Sequence, residues 1–133
     1  MKPFVLDGRV WRVVRVAPGD PALIDRTGVR TIATTDPGSR TIRLSSDIPP
    51  QLLDKVMLHE AAHAVSISRG LFNRIEGLIP EANRIEVEEW SAQAMAEHSL
   101  DTIAVASRAL GRPVCIRGLC MLDLKDGKRK EIM

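Results

Sequence analysis

The run Val56-Met57-Leu58-His59-Glu60-Ala61-Ala62-His63-Ala64-Val65 constrains this chain more than any other segment. Its apolar residues fit a helix, yet it carries three ionisable groups that an apolar setting would leave without partners. Residues four apart on a helix lie one turn apart on one face, so the His59 and His63 imidazoles can converge on one point. Two histidines so placed can chelate a metal ion, and zinc takes such nitrogens at about 2.0–2.1 Å. Glu60 projects about 100° round the axis from His59, out of the ligand plane but within reach of a water on the metal. The pattern is H-E-x-x-H, in which the glutamate serves as general base for metal-assisted hydrolysis. A bland alternative is a helix with His59, Glu60 and His63 solvated on its surface, and the apolar residues around them argue against it.

The rest of the chain supplies a frame for that helix. Val10 to Val16 is rich in β-branched residues and ends at the breaker run Pro18-Gly19-Asp20-Pro21, which predicts a strand. Val29–Thr35 and Arg40–Ser45 are two further strand segments, joined by the turn-forming Asp36-Pro37-Gly38-Ser39 as a hairpin. In the second of these, Ile42 and Leu44 alternate with Thr41, Arg43 and Ser45, so one face is expected to be wet. The H-E-x-x-H helix is expected over residues 49–70, with Ser46 or Asp47 as N-cap, Pro49-Pro50 in its first turn and Gly70 at its end. Residues 71–82 read as a loop, residues 84–110 as a second helix stopped by Gly111-Arg112-Pro113, and Val114–Leu124 as a short strand or packed tail. Residues 125–133 form a charged terminus. No repeat, low-complexity segment or linker divides the chain, so residues 1–133 are expected to form one α+β domain: an N-terminal antiparallel or mixed sheet, residues 1–48, packed on two long helices.

A catalytic zinc site needs a third protein ligand. Glycine and a third histidine do not follow His63, where Ser66 and Arg69 stand instead, so that variant of the motif is excluded. Glu86, Glu88 and Glu89, at the start of the second helix, are the candidates. Acidic residues are also favoured in a first helical turn by the macrodipole, and that role is expected for at least two of the three.

At this point the chain resembles the minimal gluzincin-like zinc metallopeptidases of bacteria and their phages, of the ImmA/IrrE type. Those proteins place a short sheet before an H-E-x-x-H helix and follow it with a helix carrying E-x-x-A-N-x-F-A. The matching stretch here is Glu89-Trp90-Ser91-Ala92-Gln93-Ala94-Met95-Ala96, with glutamine for the asparagine and methionine for the phenylalanine. The resemblance spans residues 29–110 and implies a zincin-like fold, zinc as cofactor, Glu89 as third ligand and Glu60 as catalytic base. Glu88 is the rival ligand, because the doublet permits a slip of one residue. Gln93 lies one turn beyond Glu89 and could orient its carboxylate.

The chain contains no tyrosine, a residue many such enzymes use to stabilise an oxyanion, and only His98 remains as a further histidine. It stands nine residues beyond Glu89, about 180° round an ideal helix, and is expected to be a surface residue. Arg84 and Asn73 are weaker candidates for that task. Trp11 and Trp90 are expected to pack in the core or at an edge.

Composition closes off other classes. Nineteen basic against seventeen acidic residues give a formal charge of +2, with no basic stripe, so direct nucleic-acid contact is not expected. No stretch of about 18 apolar residues occurs, so a soluble, cytoplasmic protein is expected. Its cysteines, Cys115 and Cys120, are then expected to be reduced. These readings together describe a zinc endopeptidase acting on a protein or peptide, and the resemblance adds regulatory proteolysis of a partner such as a repressor or antitoxin. Residues 40–45 are expected to border the cleft and pair with an extended substrate. The alternative is a zinc-stabilised interaction module without catalysis.

Overall fold

The first sheet contact is made by a hairpin that turns at Asp7-Gly8. Strand β1 (Phe4–Leu6) pairs antiparallel with β2 (Arg9–Val16) in the register Leu6↔Arg9, so only these two residues form the loop. Both have positive φ, 49° and 77°, which a two-residue hairpin loop requires and which glycine adopts without strain. This hairpin was not foreseen from the N-terminal residues. The computed structural model describes residues 1–116 and 119–120 of the chain. It is an α+β fold, with a four-stranded mixed sheet at the N-terminus and two helices.

Strand β2 pairs in parallel with β4 (Thr41–Ser45), from Arg12↔Thr41 to Val16↔Ser45. Strand β3 (Ala33–Asp36) lies antiparallel on the other side of β4, giving the order β1-β2-β4-β3. The expected hairpin at Asp36-Pro37-Gly38-Ser39 is therefore present, although its first strand begins at Ala33 rather than Val29. Asp36 caps the turn, its Oδ1 accepting from the Gly38 N–H at 3.0 Å and its Oδ2 from Ser39 Oγ at 2.8 Å.

One expectation is reversed by this order. Residues 40–45 offer no free edge for an extended substrate, because β4 has a strand on each side, although Arg43 does line the cleft described below. The wet face assigned to it is mostly dry as well: Thr41 and Ser45 are buried along with Ile42 and Leu44. The edge next to β4 belongs to β3, and β1 forms the other edge of the sheet.

Helix α1 (Pro50–Ser68) starts later than Ser46 or Asp47 would cap it, with Pro49 in the N-cap position at φ −59°, ψ 140°. The cause is local. Pro50 keeps the residue before it out of the helical region, and the Asp47 carboxylate is taken by the Ser45 hydroxyl. The sheet and α1 share one core of Trp11, Ala33, Ile42, Leu44, Ile48 and Ala64, against which Phe4, Leu53, Val56 and Met57 pack. Phe4 stacks on Trp11 with ring centroids 6.1 Å apart.

Where a plain loop was expected over residues 71–82, the chain makes three single 3-10 turns, at Phe72–Arg74, Glu76–Leu78 and Glu81–Asn83. Helix α2 (Arg84–Leu110) has the expected bounds and ends at Gly111, whose φ of 70° suits a helix C-terminus. The chain forms two compact units, Met1–Ala96 and Glu97–Met133, and the boundary falls within α2. In the second, β5 (Cys115–Ile116) pairs antiparallel with β6 (Leu119–Cys120). Cys115 stands opposite Cys120 in that register and is disulfide-bonded, contrary to the expected thiol. Directly opposed positions on antiparallel strands bring Cα atoms within disulfide reach, a relation the cytoplasmic argument could not see. The expected charged terminus at 125–133 lies outside the described residues. No helix among the described residues is long and apolar enough to cross a membrane.

Candidate metal centre

One turn of α1 and one turn of α2 build the site. His59 and His63 present their Nε2 atoms 3.2 Å apart, and Glu89 Oε2 lies 3.2 Å from each. Three donor atoms thus form an equilateral triangle. The edge of a tetrahedron is about 1.63 times its centre-to-corner distance, so ligands at about 2.0–2.1 Å from zinc stand about 3.3–3.4 Å apart. The observed triangle has the size of one face of such a tetrahedron, and all three residues line one cleft. Among the described residues, His59, His63 and Glu89 are the group that could hold a metal ion.

The His59 tautomer follows from the neighbours of its ring. Gln93 Oε1 lies 3.0 Å from His59 Nδ1, so that nitrogen is the donor and Nε2 of the neutral ring carries a lone pair. This lone pair faces the acceptor Glu89 Oε2 at 3.2 Å, and the His63 Nε2 is equally near. A proton on His63 Nε2, donated to Glu89 Oε2 or His59 Nε2, or a cation between the three atoms relieves the repulsion of their lone pairs. A metal ion satisfies all three at once. Gln93 thereby orients a histidine, where the sequence suggested that it would orient the Glu89 carboxylate.

Glu60 is 6% exposed, and its carboxyl titrates above the ordinary range chiefly because burial disfavours the charged form. Opposing that, Thr35 Oγ1 donates to Glu60 Oε2 at 2.5 Å, and the nearby histidines also favour the carboxylate. Thr35 was not singled out from the sequence. It lies in a strand of ordinary composition, and nothing in its own segment reports a partner 25 positions away.

The glutamate doublet is divided by Arg26, another residue the sequence did not mark. Its Nη2 lies 2.7 Å from Glu88 Oε2 and 3.5 Å from Glu89 Oε1. Glu88 is therefore an ion-pair partner, and Glu89 alone of the two joins the histidines. Glu86 sits exposed in the first turn of α2, as its macrodipole role anticipates.

His59, Glu60, His63, Glu89, Gln93 and Arg26 line a cleft of about 760 Å³. Residues of β3 form one wall, and Ile24, Ile32, Val56 and Ile67 add apolar surface. Of the residues weighed for oxyanion stabilisation, His98 is exposed beside Glu97 and Arg84 is tied to Glu76 at 2.8 Å. Trp90, expected to pack, is 71% exposed, whereas Trp11 is in the core. Comparison of the chain with protein-family models, curated proteins and solved structures finds no match.

Proposed function

We propose that the chain is a zinc-dependent hydrolase that cleaves a protein or peptide substrate, with His59, His63 and Glu89 holding the metal and Glu60 acting as general base. The observation that carries this reading is the 3.2 Å triangle of His59 Nε2, His63 Nε2 and Glu89 Oε2. A zinc ion at such a site supplies Lewis acidity, lowering the pKa of water toward about 7 and polarising a carbonyl oxygen.

The chain's own residues supply the remaining functions. Gln93 fixes the His59 tautomer so that Nε2 is available. Glu60 holds and transfers the proton, first from water and then to the leaving amine. Thr35 occupies Glu60 Oε2 and restrains the carboxylate against the edge strand. Strand β3 has β4 on one side only, so its outer edge can pair with an extended peptide, while the apolar lining of the cleft accepts an uncharged side chain. These features favour a peptide over a small charged metabolite.

The test combines elemental analysis with cleavage of a fluorogenic peptide library by the wild type, Glu60→Gln and His63→Ala. About one zinc per chain in the wild type and Glu60→Gln, with cleavage by the wild type only, is expected. A folded wild type without zinc overturns the whole reading; zinc-loaded protein that cleaves no peptide, and whose partner binding is indifferent to Glu60→Gln, leaves the interaction module instead.

A further inference from the structure

The ligand Glu89 is a half-exposed side chain on the surface of a helix, with 49% of its side chain accessible. A glutamate in that setting ordinarily samples several rotamers, and each must be given up when it binds a metal. The segment facing it provides a restraint.

Residues 25–29 form a tight turn. The Gly28 N–H bonds the Asp25 carbonyl at 3.0 Å, and the Asp25 N–H bonds the Val29 carbonyl at 2.8 Å. Asp25 Oδ1 accepts from the backbone of Thr27 at 2.8 Å and of Val29 at 3.0 Å, as well as from the Thr27 hydroxyl. Gly28, at φ 83°, supplies the left-handed residue that closes the turn. Arg26 is its first central residue, carried at the tip of a backbone held at both ends.

From that tip the guanidinium bridges Glu88 Oε2 and Glu89 Oε1. The two oxygens of Glu89 are thus assigned to different tasks, with Oε1 toward Arg26 and Oε2 toward the histidines. We propose that Arg26 is a positioning residue for the metal site, clamping the Glu88–Glu89 doublet so that Glu89 presents Oε2 to the ion and Glu88 is kept from competing. The inference rests on the zinc site proposed above. Arg26 side-chain accessibility is 46%, and ion pairs this exposed contribute little to folding. The consequence of the clamp therefore falls on metal affinity rather than on the stability of the metal-free chain.

The experiment measures zinc affinity by competition with a chromophoric chelator, together with thermal unfolding of the metal-free proteins. Arg26→Met keeps the length of the stem and removes the charge; Arg26→Lys keeps a charge but loses the planar fork. Expected for Arg26→Met is one zinc per chain bound about 10–100-fold more weakly, the range for lost outer partners of a metal ligand, with the metal-free melting temperature nearly unchanged. Arg26→Lys should recover part of the loss, and Glu88→Gln should retain most of the wild-type affinity. Equal zinc affinity in the wild type and Arg26→Met, both folded, overturns the clamp and leaves the zinc site standing. A wild type that binds no zinc overturns both. If Arg26→Met loses affinity only in proportion to a fall in its metal-free stability, Arg26 is structural and the proposal fails.

Discussion

Thr35 Oγ1 on the edge strand donates a hydrogen bond to Glu60 Oε2 on α1, tying the buried carboxylate to the strand that walls the cleft. The bond couples the sheet to the proposed base. It also opposes the burial that otherwise disfavours the Glu60 carboxylate.

Thr35→Val removes the donor at nearly constant volume. The carboxylate is then free to rotate, and of the named causes only the two histidines still oppose burial. Because small misplacements of a reacting group can cost about 10²-fold in rate, peptide cleavage should fall by about that factor. Zinc content should stay at the wild-type level, and Thr35→Ser should restore most of the activity. Steady-state kinetics with elemental analysis of all three proteins checks this. Loss of zinc in Thr35→Val would place the residue in the metal site rather than behind the base.

The core makes a prediction independent of function. Ile42 and Leu44 are fully buried on the central strand between β2 and β3, under α1. Ile42→Ala or Leu44→Ala should cost about 2–5 kcal/mol by lost burial and residual cavity. Val10, 54% exposed on β2, provides the control, and Val10→Ala should change stability by less than about 0.5 kcal/mol. Urea unfolding curves of the metal-free proteins separate the two classes.

A pH dependence follows from Asp36. Its carboxyl lies below the ordinary value of 3.8, chiefly because Ser39 Oγ donates to it, with burial opposing and Arg43 reinforcing. A carboxylate whose folded pKa is depressed contributes stability above the unfolded value and loses it as pH falls through the folded one. Ser39→Ala removes the largest cause and should move the Asp36 titration upward. The stability difference between wild type and Ser39→Ala should be present at neutral pH and vanish below the Asp36 titration. NMR titration of the Asp36 carboxyl, with urea unfolding at both ends of that range, checks it.

Much of this was legible in the sequence because it is encoded locally. The H-E-x-x-H spacing sets two histidines on one face of α1, and Gly111 stops α2 where a left-handed glycine ends a helix. The Asp36–Ser39 turn carries its own hydrogen bonds, so its hairpin could be read from those residues. What the sequence concealed depends on partners distant along the chain. That β4 is interior and β3 is an edge follows from the parallel pairing of β4 with β2, which no local pattern of residues 40–45 reports. Arg26 and Thr35 matter only because the fold brings α2 and α1 to them. The choice between Glu88 and Glu89 was likewise open until Arg26 was placed against the doublet. Gln93 lay on the expected helical face, but whether it turned to Glu89 or His59 is a side-chain matter that spacing cannot resolve.

The Gln93 contact yields the last prediction. With Oε1 accepting from His59 Nδ1 at 3.0 Å, Gln93 selects the tautomer whose Nε2 lone pair points at the triangle. Gln93→Met fills similar space without an acceptor, so His59 must lose that tautomer preference and its fixed ring angle. Outer partners of metal-bound histidines are typically worth 10–100-fold in affinity, and zinc binding should weaken within about that range. Gln93→Glu retains an acceptor at the same position and adds charge that makes the imidazole a stronger ligand, so its affinity should equal or exceed the wild type. Gln93 acts on His59 and Arg26 on Glu89, so the double variant Arg26→Met/Gln93→Met should lose close to the sum of the two free-energy changes. Chelator competition on the four proteins of that cycle measures it, and a double variant no weaker than either single one would mean that both substitutions disturb the same ligand.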